Sequence, residues 1–101
     1  SMDVAGSVGF QVTSVATNTT LDATHCTVLV DASGGAITIT LPTAASSNRR
    51  RYDIKKTDSS GNAVTVDANG SETIDGALNW PLAAQYNVVT VVSDGTAWYV
   101  I

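Results

Sequence analysis

The chain is poor in the side chains that catalysis and covalent cross-linking draw on: one cysteine, one histidine and one glutamate in 101 residues. Cys26 has no partner within the chain, so no internal disulfide can brace the fold. His25 and Cys26 are neighbours in a predicted strand, where adjacent side chains point to opposite faces. That argues against a Cys–His catalytic pair and against a tetrahedral zinc site within one chain. Three copies of His25 around a symmetry axis remain one route to a metal, and a plain strand histidine on a solvent or interface face is the simpler reading. No cofactor and no metal is expected. No apolar run approaches the roughly 20 residues that cross a bilayer. The N-terminus also lacks a basic flank followed by a hydrophobic stretch. A soluble, non-secreted domain without membrane insertion is therefore expected. Helix formers are scarce too: 5 Leu, 1 Met and 1 Glu stand against 14 Thr, 13 Val, 13 Ala and 10 Ser. That balance predicts an all-β chain.

The length suits a single small domain. A monomer of this size buries only roughly 60 to 68% of the surface its unfolded chain exposes, so association with copies of itself would add to a modest core. Ser1-Met2 reads as a protease scar followed by a cloning start. Residues 3–20, made of Gly, Ser, Thr, Val and Ala around Phe10, read as an N-terminal connector or a first strand, and residues 21–101 as the β domain. In that domain, alternation with a period of two recurs between turn signals. Thr24 to Asp31 sets Cys26, Val28 and Val30 on one face. Ala36 to Leu41 sets Ile37, Ile39 and Leu41 on one face before Pro42 ends the run. Thr43 to Arg50 is a polar loop with a helical turn near Ala44-Ala45. Tyr52 to Lys56 and Ala63 to Asp67 are short strands, and Glu72 to Ile74 is another. Pro81 demotes Leu78 to Leu82 to an edge or irregular strand. Tyr86 to Val92 and Ala97 to Ile101 form a hairpin about Ser93-Asp94-Gly95-Thr96, with apolar residues on both faces of both arms. Strands covered on two sides imply packing against another sheet or another subunit. No solenoid period is visible. The expected fold is a small antiparallel β-sandwich or barrel-like domain with hairpin connections, assembled as a trimer.

Candidate sites are few. Asp67-Ala68-Asn69-Gly70-Ser71-Glu72 superficially resembles a calcium loop but has Glu72 where the EF-hand requires glycine, so it reads as an Asn-Gly turn. No spacing among the eight Asp and one Glu selects a glycosidase pair. There is no phosphate-cradling glycine loop and no nucleophile elbow, so no enzyme is expected. All five basic residues, Arg49, Arg50, Arg51, Lys55 and Lys56, fall within eight positions of a chain with net charge −4. This patch either contacts phosphate, sulfate or an anionic surface sugar, or it pairs with carboxylates of the same or a neighbouring subunit and protects a strand edge. Nucleic acid is a poor partner for so acidic a chain. Trp98 and Tyr99 are expected in a core or an interface. Trp80, between Asn79 and Pro81, is the candidate exposed anchor for a sugar ring.

Taken in order, Ala36-Ile-Thr-Ile-Thr-Leu-Pro42, Tyr52-Asp-Ile-Lys-Lys-Thr-Asp-Ser-Ser-Gly-Asn-Ala-Val-Thr-Val-Asp67, Gly70-Ser-Glu-Thr-Ile-Asp-Gly76 and Val91-Val-Ser-Asp-Gly-Thr-Ala-Trp-Tyr-Val-Ile101 resemble a domain of tail fibres and other structural proteins of tailed bacteriophages and prophages. The resemblance runs from about Leu21 to Ile101. It implies a small all-β unit, usually C-terminal, in homotrimeric fibres whose tips meet the host surface alongside other virion proteins. Asn79-Trp80-Pro81 and the triple arginine depart from the usual pattern. The expectation is a non-enzymatic virion module. It either recognises a host-surface polysaccharide through Arg49, Arg50, Arg51 and Trp80, or serves purely as a structural trimerisation or attachment domain.

Overall fold

A computed structural model describes residues 9–101; the reading of Ser1-Met2 lies outside them. Among the described residues nine strands form in chain order: β1 Val12–Val15, β2 Thr19–Thr20, β3 Thr27–Val30, β4 Ile37–Thr40, β5 Arg51–Lys56, β6 Val64–Asp67, β7 Asn79–Leu82, β8 Val88–Ser93 and β9 Trp98–Val100. A single 3₁₀ turn, Ala45–Ser47, precedes β5. Both β1 and β2 fall in the segment 3–20. The strands make a five-stranded sheet ordered β1-β3-β5-β8-β9 and a four-stranded sheet ordered β2-β4-β6-β7.

The all-β class is as expected, but the connectivity is not. The pairs β1–β3, β3–β5, β2–β4 and β4–β6 are all parallel. The first six strands therefore alternate between the two sheets, one strand in each per turn of chain, as a three-rung coil. The expected hairpin connections do not form between these strands; residues 31–36 and 57–63 carry the chain across to the other sheet. Antiparallel pairing enters only where β7, β8 and β9 end the coil. Alternation in sequence shows that a strand has an inner face and leaves its partner open, which is why the strands themselves were foreseen and their pairing was not. The coil also hides its period. Val12 pairs with Thr27 and Thr27 with Asp53, while Thr19 pairs with Ile39 and Ile37 with Val64. The resulting offsets of 15, 26, 20 and 27 residues share no common repeat.

The inner faces supply one core. Val28, Val30, Tyr52, Ile54, Val89, Val91 and Trp98 come from the larger sheet and meet Ile37, Ile39, Leu41, Val64, Val66 and Leu82 from the smaller. Burying each large aliphatic chain contributes about 1.5–3 kcal/mol. The β8–β9 hairpin forms as expected, with Gly95 at φ 94° in its turn. Glu72 to Ile74 makes no strand. Instead Ile74 bridges to Ala77 and Trp98, and residues 73–75 cover the open edge of β9 through Trp98 N–H to Thr73 O (2.9 Å), Asp75 N–H to Trp98 O (3.0 Å) and Val100 N–H to Asp75 Oδ1 (3.0 Å). Pro81 lies on an edge strand, as its missing donor requires.

Alternation between sheets gives the coil two flanks. On one, residues 16–18, 31–36 and 57–63 lead from the larger sheet to the smaller. Here Asn18 Oδ1 accepts from Thr38 N–H (2.8 Å), Asp58 Oδ1 from Ala32 N–H (2.7 Å), and Asn62 Nδ2 donates to Ala32 O (2.9 Å). Lys56, fully buried, donates from Nζ to Asp58 Oδ2 (2.8 Å), Asp58 O (3.0 Å) and Ser60 O (3.0 Å). On the other flank, residues 21–26 and 41–50 return from the smaller sheet to the larger, one stacked on the other.

Candidate anion-binding groove

The second flank carries a groove. Residues 21–26 bring His25 and Cys26 to its wall, and residues 41–50 bring Arg49 and Arg50, with Arg51 opening β5. The Tyr52 hydroxyl, on β5, donates to Asp22 O at 2.9 Å and ties the shorter connection to the larger sheet. Burial pushes the Tyr52 phenol up from its ordinary range. The cavity measures about 510 Å³ and is lined by Phe10, His25, Cys26, Thr27, Arg49, Arg50, Arg51, Tyr52, Asp53 and Thr90.

The arginine segment is held by its backbone. Arg49 N–H donates to Ser93 O (2.9 Å), Arg50 N–H to Ser47 O (2.8 Å), and Ser93 N–H to Arg50 O (3.1 Å). Arg49 sits at φ 71°, in the left-handed region, which costs a residue with a side chain about 1–2 kcal/mol. Such strain persists where the surrounding bonds impose it. Among the described residues the ion pairs are Lys56 with Asp58 and His25 with Asp22, and none of the three guanidinium groups is in one. All three residues line the groove, and none is neutralised by an ion pair among the described residues.

The floor is a row across the larger sheet. Thr27, Asp53 and Thr90 are register partners on β3, β5 and β8. Asp53 Oδ1 accepts from Thr90 Oγ1 at 2.7 Å and Oδ2 from Thr27 Oγ1 at 3.2 Å. His25 Nδ1 lies 3.1 Å from both Asp22 N and Asp22 Oδ1. The Asp22 carboxyl lies below its ordinary range, chiefly because the Thr24 hydroxyl and then the Thr24 N–H donate to it. Phe10 stands at the mouth, 68% exposed.

Arg49, Arg50 and Arg51 therefore come together as the sequence suggested. Trp80 does not join them: it lies on β7 of the smaller sheet, partly buried against the core, and does not line the groove. Lys56 leaves the basic patch altogether, being buried against Asp58, while Lys55 stays on the outer face with Nζ 5.4 Å from the centre of the Tyr86 ring. His25 and Cys26 were expected on opposite faces of a strand. Because β3 starts only at Thr27, both precede it and both line the groove. The calcium-like stretch is a turn with Gly70 at φ 56°, and the Glu72 carboxylate accepts Ala44 N–H at 3.0 and 3.1 Å. Sequence reasoning missed Phe10, Asp53 and Thr90. Only Asp53 left a trace, as a carboxylate at an outward position between the inward Tyr52 and Ile54.

Neither the protein-family models nor the curated proteins contain a match to this chain. What the groove can do rests on its own chemistry: three arginines without ion pairs among the described residues, beside a hydroxyl–carboxylate row, suit it to hold an anionic ligand with hydrogen-bonding groups.

Proposed function

We propose that the chain is a non-enzymatic attachment module of a virion appendage that binds an anionic surface polysaccharide through the groove around Arg49, Arg50 and Arg51, working as a homotrimer. The observation that carries the reading is that three arginines line one groove and none has an ion pair among the described residues. Arginine forks bond carboxylates and phosphates bidentately, and three weak sites on one assembly gain by avidity. The virion setting rests on the tail-fibre resemblance alone. Val88, Tyr99 and Ile101 are 55%, 45% and 58% exposed on the outer face of the larger sheet, the face that also holds the groove floor. Packing of copies on that face favours a second reading, a purely structural trimerisation domain whose groove is covered.

An array of acidic and neutral bacterial surface polysaccharides separates the two. The native protein should retain acidic members, and the double variant Arg49→Ala, Arg50→Ala should lose them while melting normally. Trp80→Ala, by contrast, should lower the melting temperature and leave binding intact, because Trp80 packs on the core. Unchanged retention by the arginine double variant overturns the attachment reading and leaves the structural one.

A further inference from the structure

The groove is asymmetric in a way that constrains its ligand. Three arginines line it in sequence; the sheet row below carries a carboxylate; Phe10 offers an exposed apolar ring. A carboxylate has about four lone-pair positions, and Asp53 has one threonine hydroxyl on each oxygen, so each oxygen keeps room for one more donor. No cation pairs with Asp53 among the described residues.

Resting on the groove reading above, we infer that the site selects a sugar acid carrying one carboxylate among free hydroxyls, and that Asp53 is the specificity-determining residue. The sugar carboxylate takes the arginines, ring hydroxyls donate to Asp53, and the apolar face of the ring lies on Phe10. A densely sulfated or phosphorylated chain satisfies the arginines equally well. It also brings further anions over the floor, where it meets the Asp53 charge and offers no hydroxyl in exchange. Specificity of this kind comes from the repulsive element as much as the attractive one. The cavity of about 510 Å³ lies inside the range of small-ligand clefts, about 300–1,000 Å³.

The test is calorimetric titration, at one fixed salt concentration, of a short oligogalacturonate and a fully sulfated heparin fragment of equal length. The native protein should bind the oligogalacturonate about tenfold more tightly, the scale of one well-made charged hydrogen bond. Asp53→Asn should abolish that preference, weakening the oligogalacturonate and strengthening the heparin fragment. Phe10→Ala alters only an exposed side chain and so keeps the test valid even if the Asp53 variant melts early. It should weaken the oligogalacturonate several-fold and leave the heparin fragment unchanged. Equal or tighter binding of the heparin fragment by the native protein, or a preference that survives in a folded Asp53→Asn, overturns the sugar-acid inference and leaves an anion groove standing. Binding of neither fragment overturns the groove reading itself.

Discussion

Replacing Lys56 by Met removes a buried ammonium while keeping an unbranched stem of similar length. Three acceptors lose their donor: Asp58 Oδ2 at 2.8 Å and the carbonyls of Asp58 and Ser60 at 3.0 Å each. Breaking a buried ion pair from one side costs about 3–5 kcal/mol. Asp58 retains Ala32 N–H at 2.7 Å, Ser60 N–H at 3.1 Å and the Ser60 hydroxyl, and the Met stem restores apolar contact, so the lower end applies, about 3 kcal/mol. At about 4–8 °C per kcal/mol for a domain of this size, the melting temperature at pH 7 should fall by about 12–24 °C. Acid adds an independent check. The Asp58 carboxyl lies well below its ordinary range, first because of the Lys56 ammonium and then because of the Ser60 hydroxyl. A carboxyl depressed in the folded state contributes stability that is complete above the unfolded-chain value, about 3.9, and is lost as pH falls below it. Since the variant lacks the largest of these causes, the gap between native and variant melting temperatures should narrow below about pH 4. A variant that melts within a few degrees of the native protein at pH 7 would refute the reasoning.

Gly95 occupies φ 94°, and a Cβ there would stand 3.2 Å from Asn48 Cγ, so Gly95→Val should destabilise by about 1–3 kcal/mol through strain and crowding together; an unchanged thermal transition would show that the hairpin turn tolerates a side chain. The trimer reading predicts three times the chain mass by light scattering at micromolar concentration, and Val88→Asp should shift that mass to the monomer, whereas a monomer mass for the native protein removes the trimer.

The strands were legible because alternation is a local property. Val28 and Val30, Ile37 and Ile39, and Val64 and Val66 are all buried where the period of two assigns them inward, whereas in the run Tyr86 to Val92, apolar on both faces, nothing local picks Val89 and Val91 over Val88. Turn chemistry was legible for the same reason, since Gly70 and Gly95 stand at positive φ where Asn-Gly and Asp-Gly predicted it. Pairing was not, because whether Asp31–Gly35 reverses the chain within a sheet or carries it to the facing sheet depends on partners more than 20 residues away. Lys56 shows the same limit at the level of one residue. Nothing local separates it from Lys55, yet the inward position that buries Ile54 also buries Lys56, and only Asp58 two residues on makes that tolerable.

The two flanks of the coil explain why a groove forms where it does. The flank holding Lys56, Asp58, Asn62 and Asn18 has its side-chain donors and acceptors engaged between rungs, so it fixes the stacking of the strands and has little left to offer a ligand. The opposite flank is held by fewer side-chain bonds, among them Tyr52 to Asp22 and Ser93 Oγ to Ala44 O at 2.7 Å. Its arginines are left over. Loops can vary without cost to a core that lies elsewhere, and here the lengths differ, with residues 21–26 stacked on the longer 41–50. The extra length includes Arg49 and Arg50, which line the groove together with His25 and Cys26. Shortening 43–48 should therefore close the groove and abolish ligand binding even with all three arginines retained, whereas trimming the Lys56 flank should unfold the coil first.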